Sequence, residues 1–179
     1  MKEKSKEVLV KNDGQVFTPT FLVRNILDFA EYSGNSILQK HIIDNSCGAG
    51  AFLTEIVRRY CTVAISNSIS KEEIKKHLET YIHGIELEDV AYANCINNLN
   101  AIVEDFDITN VNWDVIHEDA LSVTKHDGKM NFVVGNPPYV RVHNLNDSYD
   151  KVKNFALKRS LKEVLSKSTF ILFFSTWLF

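Results

Sequence analysis

Short apolar segments, each followed within three residues by a carboxylate or a glycine and most of them by a helical pattern, recur along this 179-residue chain. That alternation limits the possible folds more than any other feature. Ile42-Ile43, Tyr81 to Ile85, Val111 to Ile116 and Met130 to Val134 read as strands. Between and before them lie helical periodicities. Thr18 reads as an N-cap with Pro19 as the first helical residue. Phe21, Leu22, Ile26, Leu27, Phe29 and Ala30 then recur at helical spacing. A second helix begins near Leu53 and reaches about Ser66. Ser70-Lys71-Glu72-Glu73 forms a capping box that opens a polar surface helix to about Tyr81. A fourth helix spans Leu87 to about Val103, with Val90, Ala91, Ala93, Ile96, Leu99 and Val103 on its inner side. This order predicts an α/β fold with a mostly parallel sheet and right-handed crossovers.

In such sheets ligands bind outside the carboxyl ends of the strands. The first strand runs into Asp44-Asn45-Ser46-Cys47-Gly48-Ala49-Gly50 and then a helix. Gly48 and Gly50 let a ligand approach the backbone. A dinucleotide fingerprint would want a third glycine where Leu53 stands, and no Lys-Ser/Thr of a phosphate-cradling loop follows. An acidic strand end facing a glycine turn suits a ligand with an amino group and a sugar. Glu86 ends the second strand, where a carboxylate bonds ribose hydroxyls. Asp119 follows the third and suits an amino group on a purine, with Ala120 or Leu121 against the ring. His83 and His117 read as ordinary fold residues, with no metal-ligand set legible.

The fourth strand stops at Gly135 and leads into Asn136-Pro137-Pro138-Tyr139. Two prolines fix two φ angles and remove two donors, and Pro137 keeps Asn136 out of the α region. The result is a stiff arm carrying one amide, unopposed carbonyls and one aromatic ring. An amino group on a flat ring fits it: the Asn136 side-chain oxygen and the Pro137 carbonyl accept its two hydrogens, and Tyr139 stacks on the ring.

Composition narrows the class. Three cysteines without paired or metal-like spacing suit a reducing compartment, read here as cytoplasmic. The Lys/Glu-rich start lacks a secretory core, and the apolar run from Phe170 to Phe179 is too short to span a bilayer. Residues 141–170 carry a net charge of +4, against −3 for the whole chain. Arg141, Lys151, Lys153 and Lys158, close behind the arm, suit nucleic-acid phosphates.

Taken together these motifs resemble the S-adenosylmethionine-dependent adenine-N6 DNA methyltransferases of restriction–modification systems, in the arrangement with the cofactor motifs N-terminal. Gln15-Val16-Phe17-Thr18-Pro19 looks like the helical entry motif, and Asp44 to Leu53 like motif I, with Asn45-Ser46 where Pro-Ala is common. Gly84-Ile85-Glu86 and Glu118-Asp119-Ala120 look like motifs II and III, and Asn136-Pro137-Pro138-Tyr139 like the catalytic motif IV. The resemblance implies a Rossmann-like methyltransferase fold. It places Phe17, Thr18, Asp44, Cys47, Gly48, Gly50, Glu86, Leu87, Asp119, Ala120 and Asn136 around S-adenosylmethionine, and Asn136, Pro137, Pro138 and Tyr139 around a flipped adenine of double-stranded DNA. Direct methyl transfer asks no nucleophile, metal or general base of the protein.

The division expected is a mobile lead over 1–13 and the N-terminal part of a catalytic domain over 14–179, truncated after the fourth strand and without the target-recognition domain. The first strand is expected at the centre, flanked by the second and fourth, with the third outside the second. The fourth strand is then an open edge that favours self-association or a partner chain, and the chain alone should transfer little methyl. Two other readings stay open: a release-factor-type methyltransferase acting on a glutamine amide, and a non-catalytic cofactor-binding fragment or half of a split enzyme.

Overall fold

The computed structural model describes residues 18–136; Phe17, Pro137, Pro138, Tyr139, the basic stretch and the closing apolar run lie outside the described residues. The elements are α1 (Thr20–Phe29), a short 3-10 turn (Gly34–Ile37), β1 (Ile42–Asp44), α2 (Ala51–Ser66), α3 (Lys71–Tyr81), β2 (Ile82–Glu86), α4 (Asp89–Glu104), β3 (Asp114–His117) and β4 (Phe132–Val134). The four strands form one sheet in the order β3-β2-β1-β4, as expected. Every pairing is parallel, with Ile42 opposite both Ile82 and Phe132. Among the described residues β4 pairs on one side only.

The strands alternate between two apolar faces, as the period of two requires. Ile42, Ile82, Val115 and Val134 join the main core with Leu53, Ile56, Val57, Tyr60 and Leu99 from the helices. Ile43 and Ile85 face the other way, under Val123 and Met130 of the β3–β4 connection. α2 crosses the sheet centre between α1, α3 and α4 and packs against all three. Its approach to β2 depends on Gly84. A Cβ there would sit 2.8 Å from Leu53 Cδ1 and 3.3 Å from Val115 Cγ1. Gly84→Ala should therefore cost about 1–3 kcal/mol by overpacking, read as a shift of the urea midpoint.

Several sequence expectations need correction. Thr18 does not cap α1: Pro19 is the N-cap, extended at ψ 142°, and no side chain caps the helix. The proline after Thr18 disfavours the α region at that residue, and the Thr18 side chain is buried rather than set at the helix end. On α1 the buried face is Val23, Ile26 and Leu27 with Ala30 beyond the helix end, whereas Phe21 and Phe29 point to solvent. Val90 and Ala93 also face outward, and Ala91, Cys95, Leu99 and Val103 make the inner face of α4. The third strand begins at Asp114 rather than Val111, because the Asn112 N–H donates to Glu79 Oε1 (2.9 Å) instead of a sheet partner. The fourth begins at Phe132, and Met130 packs under the sheet. α3 is polar outside, as expected, and Ser70 accepts from the Glu73 N–H. Among the described residues no helix is long and apolar enough to cross a membrane.

Candidate active site

The carboxyl ends of the four strands meet along one edge of the sheet. β1 ends at Asp44, whose Oδ1 accepts from the Ser46 N–H at 3.1 Å. The chain then turns: Cys47 N–H donates to Ile85 O (3.0 Å) and Gly50 N–H to Cys47 O (2.8 Å). Both glycines of this turn are left-handed, Gly48 at φ +54° and Gly50 at φ +85°. Their surroundings differ. A Cβ on Gly48 would meet nothing within 4 Å, so the backbone there stands open to the cleft. A Cβ on Gly50 would lie 2.9 Å from Cys95 Sγ, so Gly50 is what lets α2 start against α4. The small-residue requirement at the end of the turn thus comes from helix packing. Asn98 Nδ2 fixes the turn further by donating to Ala49 O at 2.9 Å.

Glu86 ties the second strand to this turn. Its Oε2 accepts from the Gly48 N–H at 2.7 Å and its Oε1 from the Glu88 N–H at 3.0 Å. Each oxygen keeps a second lone pair. Glu88 in turn caps α4 by accepting from Val90 and Ala91 N–H groups. Beside Glu86, Leu87 and Val90 are each 64% exposed, an apolar lip of the kind a purine ring packs on. His117 Nε2 donates to the Leu87 carbonyl at 3.1 Å and its ring stacks on Tyr92, which fixes that lip to the end of β3. Asp119 Oδ1 accepts from the Leu121 N–H, and Ala120 packs against the second apolar cluster. The Cys47 side chain does not face the cleft: it is buried against Cys95, 3.8 Å between sulfurs. Its contribution to the edge is backbone alone.

The fourth strand brings the last two residues. At Gly135 its backbone passes so close to β1 that a Cβ would fall 2.7 Å from Asp44 Oδ1. The next residue, Asn136, donates from Nδ2 to Thr18 Oγ1 at 3.2 Å. Thr18 is buried, 7% exposed, so this bond is sheltered. With the amide nitrogen turned to Thr18, the amide oxygen points the other way and is an acceptor with no hydrogen-bond donor among the described residues. No local spacing signalled this contact, which joins residues 118 positions apart.

Asp44 is the electrostatic focus. It is 1% exposed and no cation pairs with it among the described residues. Burial, against the Ser46 N–H that lowers it and with Glu86 that adds to it, raises its pKa to about 7. A buried carboxyl of this kind fits a ligand that brings its own positive charge. The edge therefore offers a cation partner at Asp44, an open backbone at Gly48, hydroxyl acceptors at Glu86, an apolar lip at Leu87 and an amide acceptor at Asn136.

Residues 3–175 match the family described as N-6 DNA Methylase. The chain belongs to that family. The type II methyltransferase M.BstVI of Geobacillus stearothermophilus is 33% identical over 148 residues, covering 77% of this chain and 26% of that protein. The modification methylase CviBIII of Paramecium bursaria Chlorella virus NC1A is 28% identical over 127 residues, covering 71% and 26%. The chain thus spans about a quarter of the length of the curated relatives it matches. Among solved structures, a Listeria monocytogenes protein assigned to the class I S-adenosylmethionine-dependent methyltransferases aligns with a TM-score of 0.57 at 14% identity, over 90% of this chain and 46% of that one. At that identity the likeness shows the fold, and the fold is the Rossmann-like methyltransferase sheet that the resemblance implied.

Proposed function

We propose that this chain forms the cofactor- and base-binding part of an S-adenosylmethionine-dependent DNA adenine-N6 methyltransferase of a restriction–modification system. The observation that carries the reading is the Thr18–Asn136 bond, which turns the Asn136 amide oxygen away from Thr18, one residue past the point where Gly135 passes buried Asp44. Family membership supplies the DNA-methylating context. In this reading residues 14–179 are the N-terminal part of the catalytic domain and 1–13 a lead.

Asp44 holds the ammonium of the cofactor's methionine, Glu86 its ribose hydroxyls, and Leu87 and Ala120 the adenine ring, with Asp119 accepting from its amino group. Gly48 leaves room for the sugar. When bound, S-adenosylmethionine supplies an electrophilic methyl carbon on a positively charged sulfur. The protein's own task is orientation. Asn136 Oδ1 and the Pro137 carbonyl accept the two N6 hydrogens of an adenine flipped from the duplex, which aims the nitrogen lone pair, and Tyr139 stacks on the base. Orientation of this kind is worth up to roughly 7–11 kcal/mol of barrier.

Two measurements test the reading. Calorimetry of the 179-residue chain with S-adenosylhomocysteine should show one site, and an absence of binding heat overturns the cofactor assignment. With a tritiated methyl donor, the smallest polypeptide containing residues 1–179 that transfers methyl should label N6-methyladenine in digested DNA. Label in a release-factor glutamine instead would move the chain to the amide methyltransferases. Glu86→Ala should weaken S-adenosylhomocysteine by about 10- to 100-fold, since it removes charge-assisted bonds worth about 1.5–3 kcal/mol. An unchanged affinity removes Glu86 from the ribose site.

A further inference from the structure

We propose that His83, Asp114 and His126 form a site for a zinc-type divalent cation at the end of the sheet opposite the glycine turn. His83 is the second residue of β2, and the strand register sets it directly across from Asp114, the first residue of β3. His126 comes from the β3–β4 connection that covers this face of the sheet. One ligand atom from each residue lies within 4.8 Å of the other two. His83 Nδ1 is 2.8 Å from Asp114 Oδ2, and His126 Nε2 is 3.7 Å from the same oxygen. Ligands in a tetrahedral zinc site, with bonds of 2.0–2.2 Å, stand about 3.4 Å apart. The two measured edges bracket that value.

Two features beyond distance point to a cation, and a third fixes which carboxylate oxygen is offered. His126 is 8% exposed, and its Nε2 is buried without a hydrogen-bond partner among the described residues although it faces Asp114. Leaving a buried nitrogen unsatisfied is costly, and a metal bond satisfies it. Second, His41 Nδ1 lies 2.9 Å from His83 Nε2. When that Nε2 carries the proton and donates it to His41, the Nδ1 lone pair is left facing Asp114 and His126, which is how outer residues orient a ligating imidazole. Third, Lys125 Nζ occupies Asp114 Oδ1 at 2.7 Å, so the carboxylate offers Oδ2 alone. Two imidazoles and one carboxylate oxygen, with a fourth position for water, suit zinc rather than the all-oxygen shells of magnesium or calcium.

A hydrogen-bond chain from His41 through His83 to Asp114 accounts for those three residues without a cation. It leaves His126 Nε2 unexplained, and that atom decides for the metal. A cation here would tie the connection carrying His126 to the amino ends of β2 and β3, at the other end of these strands from Glu86 and His117.

The test uses the untagged 179-residue chain, stripped with a chelator and titrated with zinc against a chromophoric competitor, and with cobalt(II) followed by visible absorption. One cation per chain and the cobalt bands of a four-coordinate site are expected. His126→Ala and Asp114→Asn should each weaken binding at least 100-fold, with His126→Gln as a space-filling substitute if the alanine variant unfolds. His77→Ala and His117→Ala should leave binding unchanged. No saturable uptake, or uptake that the His126 and Asp114 variants share with the unaltered chain, overturns the site and leaves a hydrogen-bond chain in its place.

Discussion

Asn136→Ala should lower methyl transfer by about 10²–10³-fold, roughly 2.7–4 kcal/mol, the scale on which enzymes lose rate when one preorganised polar group at the reacting atom is removed. Cofactor affinity should move little, because the Asn136 amide oxygen is assigned to the target base and its nitrogen is held by Thr18 at 3.2 Å. Thr18→Val is the informative companion. It keeps the shape and removes the acceptor, so the amide is free to rotate. A single hydrogen bond of about 0.5–1.5 kcal/mol predicts a loss up to about tenfold, well short of the loss for Asn136→Ala. For Tyr139, whose role here is stacking, Phe should retain most of the activity and Ala should not. Single-turnover kinetics separate these effects from product release. An Asn136→Ala variant with full activity, or a Tyr139→Phe variant as inactive as Tyr139→Ala, removes the base-positioning role.

Raising the pH from 4 to 8 should destabilise the ligand-free protein through Asp44 by about 4 kcal/mol, given a pKa that climbs from 3.8 in the unfolded chain to about 7 in the fold. Below pH 3.8 the carboxyl is neutral in both states and its contribution is complete. Between 3.8 and 7 only the unfolded chain ionises, and the contribution drains away. Asp44→Asn should flatten this part of the profile and leave the variant more stable than the parent at pH 8, measured by urea unfolding at both pH values. A ligand that brings an ammonium to Asp44 reverses the sense. It pairs with the ionised form, so its affinity should rise with pH until about 7 and then level off, and Asp44→Asn should abolish that rise. Parallel stability profiles for parent and variant would mean that Asp44 is not buried as an unpaired acid.

The sheet order was legible because strand, glycine turn and helix follow one another in a pattern that few topologies accommodate. Asp44, Gly48, Glu86 and Asn136 could each be placed at a strand end from sequence distance alone. What could not be read depends on side-chain direction. Cys47 lies in the same turn as Gly48 yet turns into the core toward Cys95. Phe21 and Val90 have the apolarity of core residues but fall on the outward arc of their helices. Thr18 carries every local sign of a helix cap, and the inward turn of its hydroxyl depends on a strand more than a hundred residues later. His83, Asp114 and His126 are 31 and 12 positions apart and share no local motif. Only the parallel register and the path of the β3–β4 connection bring them together.

The bond between Thr18 and Asn136 has a bearing on how the site comes into being. Closing a loop of 118 residues costs an entropy of about 4 kcal/mol beyond a constant. One hydrogen bond contributes about a quarter of that, so it cannot draw the two ends together. The closing is done by β4 pairing with β1, Ile42 against Phe132 and Asp44 against Val134, with Phe132 braced edge-on by Tyr32. The amide is thus aligned only after β4 has docked. A chain still emerging during synthesis, with β1 to β3 formed, would hold a glycine turn and a ribose carboxylate but no means of grasping a base, so that the capacity to bind the methyl donor precedes in time the capacity to use it.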